Sequence, residues 1–591
     1  MRALRLFAGY LAAFAVLTAP WLAQAAHAIP INSPYARGDT RLLTWILWWV
    51  SNALLHDPRV VVDAPINYPA PAQLTGSEHF AGLQVVFFPI WLLTRNPVLA
   101  LNAVLFLAYP LAALAMNRLL TALGVSRGVA WVAGLAYALG ALQAPAHVHL
   151  LHTLAFFPPA AVLALHRLRE RPDARRAAPL AALLLLAFFS AYYTTAILLA
   201  VLLVCGVAAL RRPLPDARRF ALVAGSCVAG ALLVLAIASQ PYLARGATVE
   251  ASGDAMATVR NVSVMSTAYV LLSPVEVFGA TALLLGVAGI AALRVPRLRP
   301  LAALGLALVA AGVFLLAGGP AAVVHLLPGG PLTDAAQTSL SFFRIAVRWT
   351  VVSGLGLAFL GAAALEAACA RLSPGAGRLL LASVVALLLA DRGRLLWEQT
   401  LDTPAALTSD AEAYHALARV VQRDGGGPLL EVPLASLGRS LQPEAMLGEI
   451  AHGQPLIVGH TGYLPPHRAA VDAAIARLPA DDAVQDLVDM TLLRWVVVRP
   501  AEDWDWPGAR ARYLERIERV PGVHRVADVN GWSVLEIDRT PVHRERFAAI
   551  AQGGSARPPL AVSAAAQQDR RAIDDLASAR ADAGGRTSAM R

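Results

Sequence analysis

Residues 178–210 decide the fold of this chain: APLAALLLLAFFSAYYTTAILLAVLLVCGVAAL. The stretch contains no charged residue, and arginine pairs flank it at 175–176 and 211–212. Two apolar runs, 178–192 and 194–210, meet at the polar and aromatic sequence SAYYTT. Such a break is tolerated in a membrane where the backbone is buried in protein or lines a wet cavity. The stretch therefore predicts two membrane-crossing helices joined by a short polar turn.

The composition of the whole chain indicates an integral membrane protein. Of its 591 residues, 57% are hydrophobic and only 15% are charged, whereas soluble domains carry about a quarter charged residues. The formal net charge of +10 comes from arginines that cluster in short loops between apolar runs. There they set the orientation of the spans. Membrane lipids are therefore expected partners, and nucleic acid is not.

About eleven apolar runs predict a polytopic α-helical membrane protein. The runs lie near residues 4–26, 97–120, 128–146, 153–166, 178–192, 194–210, 219–240, 273–293, 300–317, 346–370 and 378–391. Arginine clusters at alternate ends predict a cytoplasmic N-terminus and an extracytoplasmic C-terminal region. Residues 1–28 also fit a signal peptide, but their long apolar part favours a retained first span.

The predicted transmembrane domain comprises residues 1–398 and includes a long first outer loop at residues 27–96. Within this loop, residues 42–55 and 80–94 are apolar and contain tryptophan but are too short to span a membrane. Because tryptophan favours the membrane interface, these segments are predicted to be interfacial helices. Trp45, Trp48 and Trp49 would then frame a route for lipid entry.

From about residue 399 the sequence becomes that of an ordinary soluble domain, predicted to be a small α/β extracytoplasmic domain over residues 399–544. Strands are predicted at 429–433 and 493–499, and a hairpin at 525–537 turns about Asn530-Gly531. Helical patterns occupy three segments, at residues 409–422, 467–478 and 507–519. Residues 545–591 have the composition of a disordered tail.

Asp39 is the strongest candidate for a catalytic residue. It follows the first apolar run and lies between Arg37 and Arg41, at the predicted outer face. A carboxylate there suits a general base that takes a proton from an acceptor hydroxyl. A phosphate is already a good leaving group, so sugar transfer from it needs no paired acid of the kind used in glycoside hydrolysis. The structural alternative is a helix cap or an arginine-paired surface acid.

Other candidate residues also lie at predicted outer ends of spans. Arg344 and Arg348 stand four residues apart, so they would share a helix face suited to a lipid phosphate. The alternative for these arginines is snorkelling to headgroups. Glu78 and His79 begin the second apolar segment of the loop and are candidates for binding an acceptor. His149 is a candidate for hydrogen bonding to phosphate or sugar.

No metal site is predicted. The histidines near His149 do not share one helix face, and the first loop contains no cluster of acidic residues. No cofactor is predicted, and the involvement of a divalent metal is left open.

These motifs resemble the GT-C superfamily of polyprenyl-phosphate-dependent membrane glycosyltransferases, in particular bacterial, uncharacterised members with a C-terminal extracytoplasmic domain. The residues that carry the resemblance, over most of 1–540, are Gly38-Asp39-Thr40-Arg41, Tyr68-Pro69, Ser77-Glu78-His79, Asn96-Pro97, Asn102, His149, Pro159, Arg344, Arg348 and the LLEVP strand. Ala346 differs from the proline often found between the two arginines.

The resemblance implies a GT-C-like fold in the bacterial inner membrane. It also implies a polyprenyl-phosphate-sugar donor, an inverting transfer with Asp39 as the catalytic general base, and an unknown glycan, lipid or protein acceptor. Arg37, Arg41 and Tyr68 join Glu78, His79, His149 and the two later arginines as predicted substrate-binding residues.

Two alternatives from other functional classes stay open at this point. One is a transporter or flippase of a lipid-linked glycan, although transporters place polar groups near the bilayer midplane. The other is a non-catalytic scaffold for envelope assembly.

Overall fold

A computed structural model describes residues 2–31, 36–141, 154–210, 216–242, 255–319, 323, 346–393, 400–402, 411–423, 425–436, 439–462 and 464–552. By its contacts the chain divides into two compact units. The first, which we call the helical unit, comprises Met1–Ala23, Ala103–Ala238 and Ala251–Thr400. The second, the mixed unit, comprises Gln24–Asn102, Ser239–Glu250 and Leu401–Arg591.

Helices account for the described secondary structure of the helical unit. They are Arg2–Leu17, Ala19–Leu22, Pro97–Ala122, Arg127–Ala141, Phe157–Glu170, Ala174–Ser190, Tyr192–Leu210, Ala217–Ala238, Ala255–Leu272, Pro274–Phe278, Ala280–Ile290, Arg299–Leu316, Thr350–Cys369 and Pro374–Leu388. The helix Pro97–Ala122 begins in the mixed unit and continues into the helical unit. Short 3₁₀ turns lie at Ala291–Arg294 and Ala346–Trp349, and a π-turn lies at Leu389–Gly393.

Each of the eleven predicted spans overlaps at least one of these helices, and the predicted break in 178–210 falls at Ala191. Among the described residues, five helices are long and apolar enough to cross a membrane: Pro97–Ala122, Ala217–Ala238, Arg299–Leu316, Val347–Cys369 and Pro374–Gly393. The last two ranges include the short turns that adjoin the helices Thr350–Cys369 and Pro374–Leu388. The chain is therefore a membrane protein, and the number of spans stays a prediction. The helix Ala255–Leu272 was not predicted, because polar residues interrupt its apolar pattern.

Glycines bring the helices of this unit close together. A Cβ atom placed on Gly356, in the helix Thr350–Cys369, would lie 2.5 Å from the backbone oxygen of Gly305 in Arg299–Leu316. Only glycine allows this approach of two backbones, which is a common device in membrane helix packing.

The mixed unit combines the 24–102 segment with the C-terminal part of the chain. Its helices are Ala36–His56, Gln84–Thr94, Ala411–Arg423, Gln442–His452, Arg468–Arg477, Asp481–Thr491, Ala509–Ile517 and Arg544–Ala551, and its 3₁₀ turns are Pro58–Val60, Gln73–Gly76, Ala81–Leu83 and Ala501–Asp503. Its strands are Ile29–Ile31, Leu429–Val432, Ala435–Ser436, Arg439–Ser440, Trp495–Val498, Val523–Val529 and Trp532–Ile537, and Thr400–Asp402 lies at the boundary between the units.

A four-stranded mixed sheet forms the core of the C-terminal domain. Leu429–Val432 pairs in parallel with Trp495–Val498, which pairs antiparallel with Trp532–Ile537, and Val523–Val529 completes the edge. The two buried strands, the hairpin and the three predicted helical segments are all present. The helices Gln442–His452 and Asp481–Thr491 are additional to those predicted.

The prediction assigned the loop at residues 27–96 to the transmembrane domain, whereas its contacts group it with the C-terminal part of the chain. The helix Ala36–His56, here called the Asp39 helix, packs against Gln442–His452, here called the Glu449 helix. Sequence patterns do not reveal this pairing, because its partners lie about four hundred residues apart in the chain.

The three tryptophans of the Asp39 helix are buried inside the mixed unit. Trp45, Trp48 and Trp49 are at most 4% exposed, and the Trp45 indole N–H donates to the Glu449 carboxylate over 3.0 Å. The expectation that they frame lipid entry is therefore wrong. Tryptophan enrichment is compatible with a protein core as well as with a membrane interface, and here the Glu449 helix supplies the core.

Candidate functional site

Asp39 lies in the first turn of the Asp39 helix and is half-buried. It is the fourth residue of the helix, so it does not occupy the cap position that precedes the first turn. A carboxylate in a first turn interacts favourably with the positive end of the helix dipole.

The C-terminal domain supplies the residues that surround Asp39. A Cβ on the neighbouring Gly38 would lie 3.6 Å from Pro443, at the start of the Glu449 helix. One turn along, Met446 accepts a hydrogen bond through its sulfur from the backbone N–H of His460. His460 therefore lies at the same end of the Glu449 helix as Asp39, and the two side chains interact electrostatically.

Burial lowers the pKa of the His460 imidazole, and the nearby Arg468 guanidinium lowers it further, while the Asp39 carboxylate opposes both effects. His460 is consequently neutral at neutral pH. A neutral imidazole offers one hydrogen-bond donor and one acceptor, whereas an ionised carboxylate only accepts. Asp39 and His460 thus present two different kinds of polar group near the same end of the Glu449 helix.

The strap at residues 65–71 fixes the segment that carries His460. The Asn67 side-chain oxygen accepts from the Gly459 N–H over 3.0 Å and from the Arg468 guanidinium over 2.8 Å. Arg468 also donates to the Gly459 backbone oxygen over 2.8 Å. A Cβ on Gly459 would lie only 2.6 Å from Ile66, so this close approach requires glycine.

Tyr68, a predicted substrate-binding residue, belongs to the same strap. Its backbone N–H donates to the Leu456 oxygen over 3.0 Å, and the Tyr68–Pro69 peptide is cis. The half-buried phenol ring lies 6.1 Å from the ring of Phe547, and burial raises its pKa. Tyr68 is therefore a neutral, amphipathic group close to the His460 segment.

Glu78 and His79 approach that segment from its other end. The hydroxyl of the preceding Ser77 accepts from the Gly462 N–H over 3.4 Å. Glu78 is half-buried, and the buried His79 packs edge-on against Tyr242 with ring centroids 5.8 Å apart. The structure thus bonds Ser77, the residue before Glu78-His79, to Gly462, and it brings Asp39 within electrostatic reach of His460.

Arg41 has a different environment from that expected of an exposed ligand-binding arginine. It is buried, and its guanidinium lies 3.8 Å from the Glu444 carboxylate. Glu444 in turn accepts from Arg499 over 3.1 Å. This buried ion network gives Arg41 a role in joining the Asp39 helix to the C-terminal domain.

Arg348 is a buried residue of the helical unit. Its guanidinium carbon lies 4.5 Å from the centroid of the Tyr193 ring, in a cation–π contact. Tyr193 belongs to the SAYYTT break between two helices. Arg344, His149 and the side chain of Arg37 lie outside the residues that the structure describes.

Sequence analysis did not identify His460, Arg468, Glu444 or Glu449 as candidates. His460 stands in the sequence Gly459-His460-Thr461-Gly462, and the two glycines around a polar pair are a signal for a tight, functional loop. Within the described ranges, no three His, Cys, Asp or Glu side chains group as they would around a metal ion.

The buried Glu449 carboxylate predicts a pH-dependent stability. Burial raises its pKa well above its usual value of 4.5, and the hydrogen bond from Trp45 only partly opposes this. The folded state therefore holds a proton that the unfolded state releases, so stability falls as the pH rises above 4.5. Glu449→Gln keeps an acceptor for Trp45 and removes the ionisation. We expect the melting temperature of the variant, relative to that of wild type, to rise steadily between about pH 5 and pH 8.

Thermal melting of the purified protein across that pH range measures this effect. A difference between the variant and wild type that does not change with pH would contradict it. Glu412→Gln, at an exposed carboxylate of the same unit, is the control and should melt in parallel with wild type.

Comparison with known proteins gives a match in structure but not in sequence. No protein-family model matches the chain, and no protein of curated function matches it. Two cryo-EM structures of arabinofuranosyltransferase AftD from Mycobacteria, two classes of one mutant, are similar to it. Their TM-scores are 0.56 and 0.58, and their sequence identities 18% and 17%.

Each alignment covers 91% of this chain but only 41% or 42% of the AftD chain, so this chain spans less than half of AftD. At this identity the similarity concerns the fold. It supports the GT-C-like fold that the sequence resemblance implied.

Proposed function

We propose that this protein is a membrane glycosyltransferase. It moves a sugar from a polyprenyl-phosphate donor to an envelope acceptor at the outer face of the bacterial inner membrane. The similarity in fold to an arabinofuranosyltransferase supports the reaction class. The observation that carries the proposal is the position of Asp39, half-buried in a helix first turn and near the same end of the Glu449 helix as the neutral His460.

In the proposed reaction, Asp39 accepts the proton of an acceptor hydroxyl. The hydroxyl oxygen forms a bond to the anomeric carbon of the donor sugar, while the bond from that carbon to the phosphate oxygen breaks. The phosphate leaves with the electron pair, and the configuration at the anomeric carbon is inverted. Arg344, Arg348 and His149 are proposed to bind the phosphate, since guanidinium groups form charge-assisted, bidentate hydrogen bonds to it.

Deletion of the chromosomal copy tests the function. The lipid-linked sugars and envelope glycans of the deletion strain would be compared by mass spectrometry with those of the strain carrying the wild-type allele. A transferase predicts loss of one sugar from the envelope and accumulation of its polyprenyl-phosphate donor. Accumulation of a finished lipid-linked glycan would instead support a flippase, and unchanged profiles would overturn the proposal.

Arg348 provides a further prediction for the donor phosphate. Arg348→Gln removes the positive charge and should lower sugar transfer by about tenfold to a hundredfold, the cost of one hydrogen bond to a charged group. Arg348→Lys keeps the charge but loses the planar fork, so it should retain an intermediate activity. Sugar transfer is measured in membranes of the complemented deletion strain.

The buried contact with Tyr193 makes a stability control necessary. The melting temperature of each Arg348 variant would be recorded, and Arg371→Gln, at an exposed arginine of the same unit, serves as the matched control. Equal transfer by Arg348→Gln and wild type would remove Arg348 from the residues proposed to bind the donor phosphate.

A further inference from the structure

Side-chain hydrogen bonds hold the segment at residues 459–462 at both of its ends. Asn67 and Arg468 bind both backbone groups of Gly459, and Ser77 accepts from the N–H of Gly462. Arg468 is 3% exposed, and its guanidinium also reaches Gln442, at the start of the Glu449 helix, over 3.1 Å. His460 and Thr461 are the two residues between these fixed points.

This segment holds His460 near Asp39, the only residue that was predicted to be catalytic. Asp39 and His460 both lie near the start of the Glu449 helix, where Gly38 lies next to Pro443 and the His460 backbone N–H donates to Met446, and the Asp39 carboxylate acts electrostatically on His460. The two side chains come from opposite ends of the chain, so neither segment forms this pair alone. Several buried hydrogen bonds maintain this geometry. A functional side chain needs supporting bonds of this kind to hold it in position, so we take them as a sign that the position of the imidazole matters.

We infer that His460 is an acceptor-binding residue and that the acceptor is a carbohydrate. This inference rests on the proposed function. One hydroxyl of the acceptor donates its proton to Asp39, and His460 donates a hydrogen bond through its ring N–H to the oxygen of the adjacent hydroxyl. Vicinal hydroxyls are general in sugars, whereas a serine or threonine side chain carries a single hydroxyl and can satisfy only one of the two groups.

The charges around His460 agree with this role. Arg468 on one side and Asp39 on the other are the charged groups that act on it, and burial keeps the imidazole neutral. A neutral histidine can donate a hydrogen bond to a hydroxyl oxygen through its ring N–H. Tyr68, on the strap that holds the segment, adds an amphipathic ring of the kind that packs on sugar faces.

Variants of His460 in the deletion strain test the inference. His460→Gln keeps a hydrogen-bond donor and should retain most of the sugar transfer, whereas His460→Phe keeps the ring but not the donor. We expect His460→Phe to lower the level of transferred sugar about tenfold, the effect of one lost hydrogen bond. The donor lipid should accumulate in proportion. His524→Phe, at an exposed histidine of the same unit, should match wild type.

Linkage analysis of the wild-type product by mass spectrometry identifies the acceptor class. Sugar attached to another sugar supports the inference, and sugar attached to a serine or threonine of a protein overturns it. Transfer at the wild-type level by His460→Phe also overturns it, as does a loss in His460→Gln equal to that in His460→Phe at unchanged melting temperatures. If the deletion itself changes no glycan, the proposed function fails instead, so the two failures are distinguishable.

Discussion

Asp39→Asn should lower the rate of sugar transfer by about a hundredfold or more while the protein stays folded. General base catalysis typically contributes about 10² to 10⁴ in rate, and an amide of the same shape cannot accept the proton. The loss of a first-turn charge costs only about 0.3–1 kcal/mol of stability. The rate is measured by mass spectrometry in membranes of the deletion strain carrying each allele.

The chain contains a matched control for this experiment. Asp482 also lies in the first turn of a helix of the mixed unit, where it is exposed and pairs with Arg477. Asp482→Asn should therefore reproduce any general effect of neutralising a first-turn acid and leave the transfer rate unchanged. If Asp39→Asn transfers sugar as fast as wild type, Asp39 is a structural acid, and the scaffold and flippase alternatives gain support.

Arg499→Met should destabilise the mixed unit by about 3–5 kcal/mol, the usual cost of removing one partner from a buried ion pair. Arg499 is 1% exposed and donates to three carboxylates, over 2.8 Å to Glu431, 3.1 Å to Glu444 and 2.7 Å to Asp503. Its guanidinium carbon also lies 4.7 Å from the centroid of the Trp532 ring. Without Arg499, the Glu431 and Glu444 carboxylates would stay buried and lose a charge-assisted hydrogen bond each.

The same network predicts how the stability lost in Arg499→Met depends on pH. Burial raises the pKa of Glu431 to about 7, and the contact with Arg499 opposes this shift. Removing Arg499 should raise the pKa of Glu431 further, so the stability lost in Arg499→Met should be larger at high pH than at low pH. Thermal melting of the purified full-length protein at several pH values records both effects.

Arg519→Met is the control for this prediction. Arg519 pairs with Glu515 on the same unit, but both side chains are exposed, at 72% and 61%. Such a surface pair contributes roughly 0–1 kcal/mol, so its melting temperature should stay close to that of wild type. A loss in Arg499→Met as small as that in Arg519→Met would contradict the view that the buried network stabilises the unit.

The second half of the chain illustrates where prediction from sequence succeeds. The strands at 429–433 and 493–499 are short apolar runs, and the Asn530-Gly531 turn has a strong two-residue signature, so all were predicted and are present. The Glu449 helix was not predicted because Pro443 to His452 are all buried. A helix that is buried on every side has no amphipathic period to detect. The helix Asp481–Thr491 is amphipathic and could have been predicted.

The sequence by itself determined that this is a membrane protein of many helices with a small α/β domain, because apolar length, arginine placement and turn residues are local properties. It also made Asp39 the strongest catalytic candidate, since an acid between two arginines after an apolar run stands out in the chain. Only the tertiary structure placed His460 beside Asp39, joined the 24–102 segment to the C-terminal domain and buried Trp45 against Glu449. These contacts join residues about four hundred positions apart, and they depend on packing between helices whose partners no local pattern specifies.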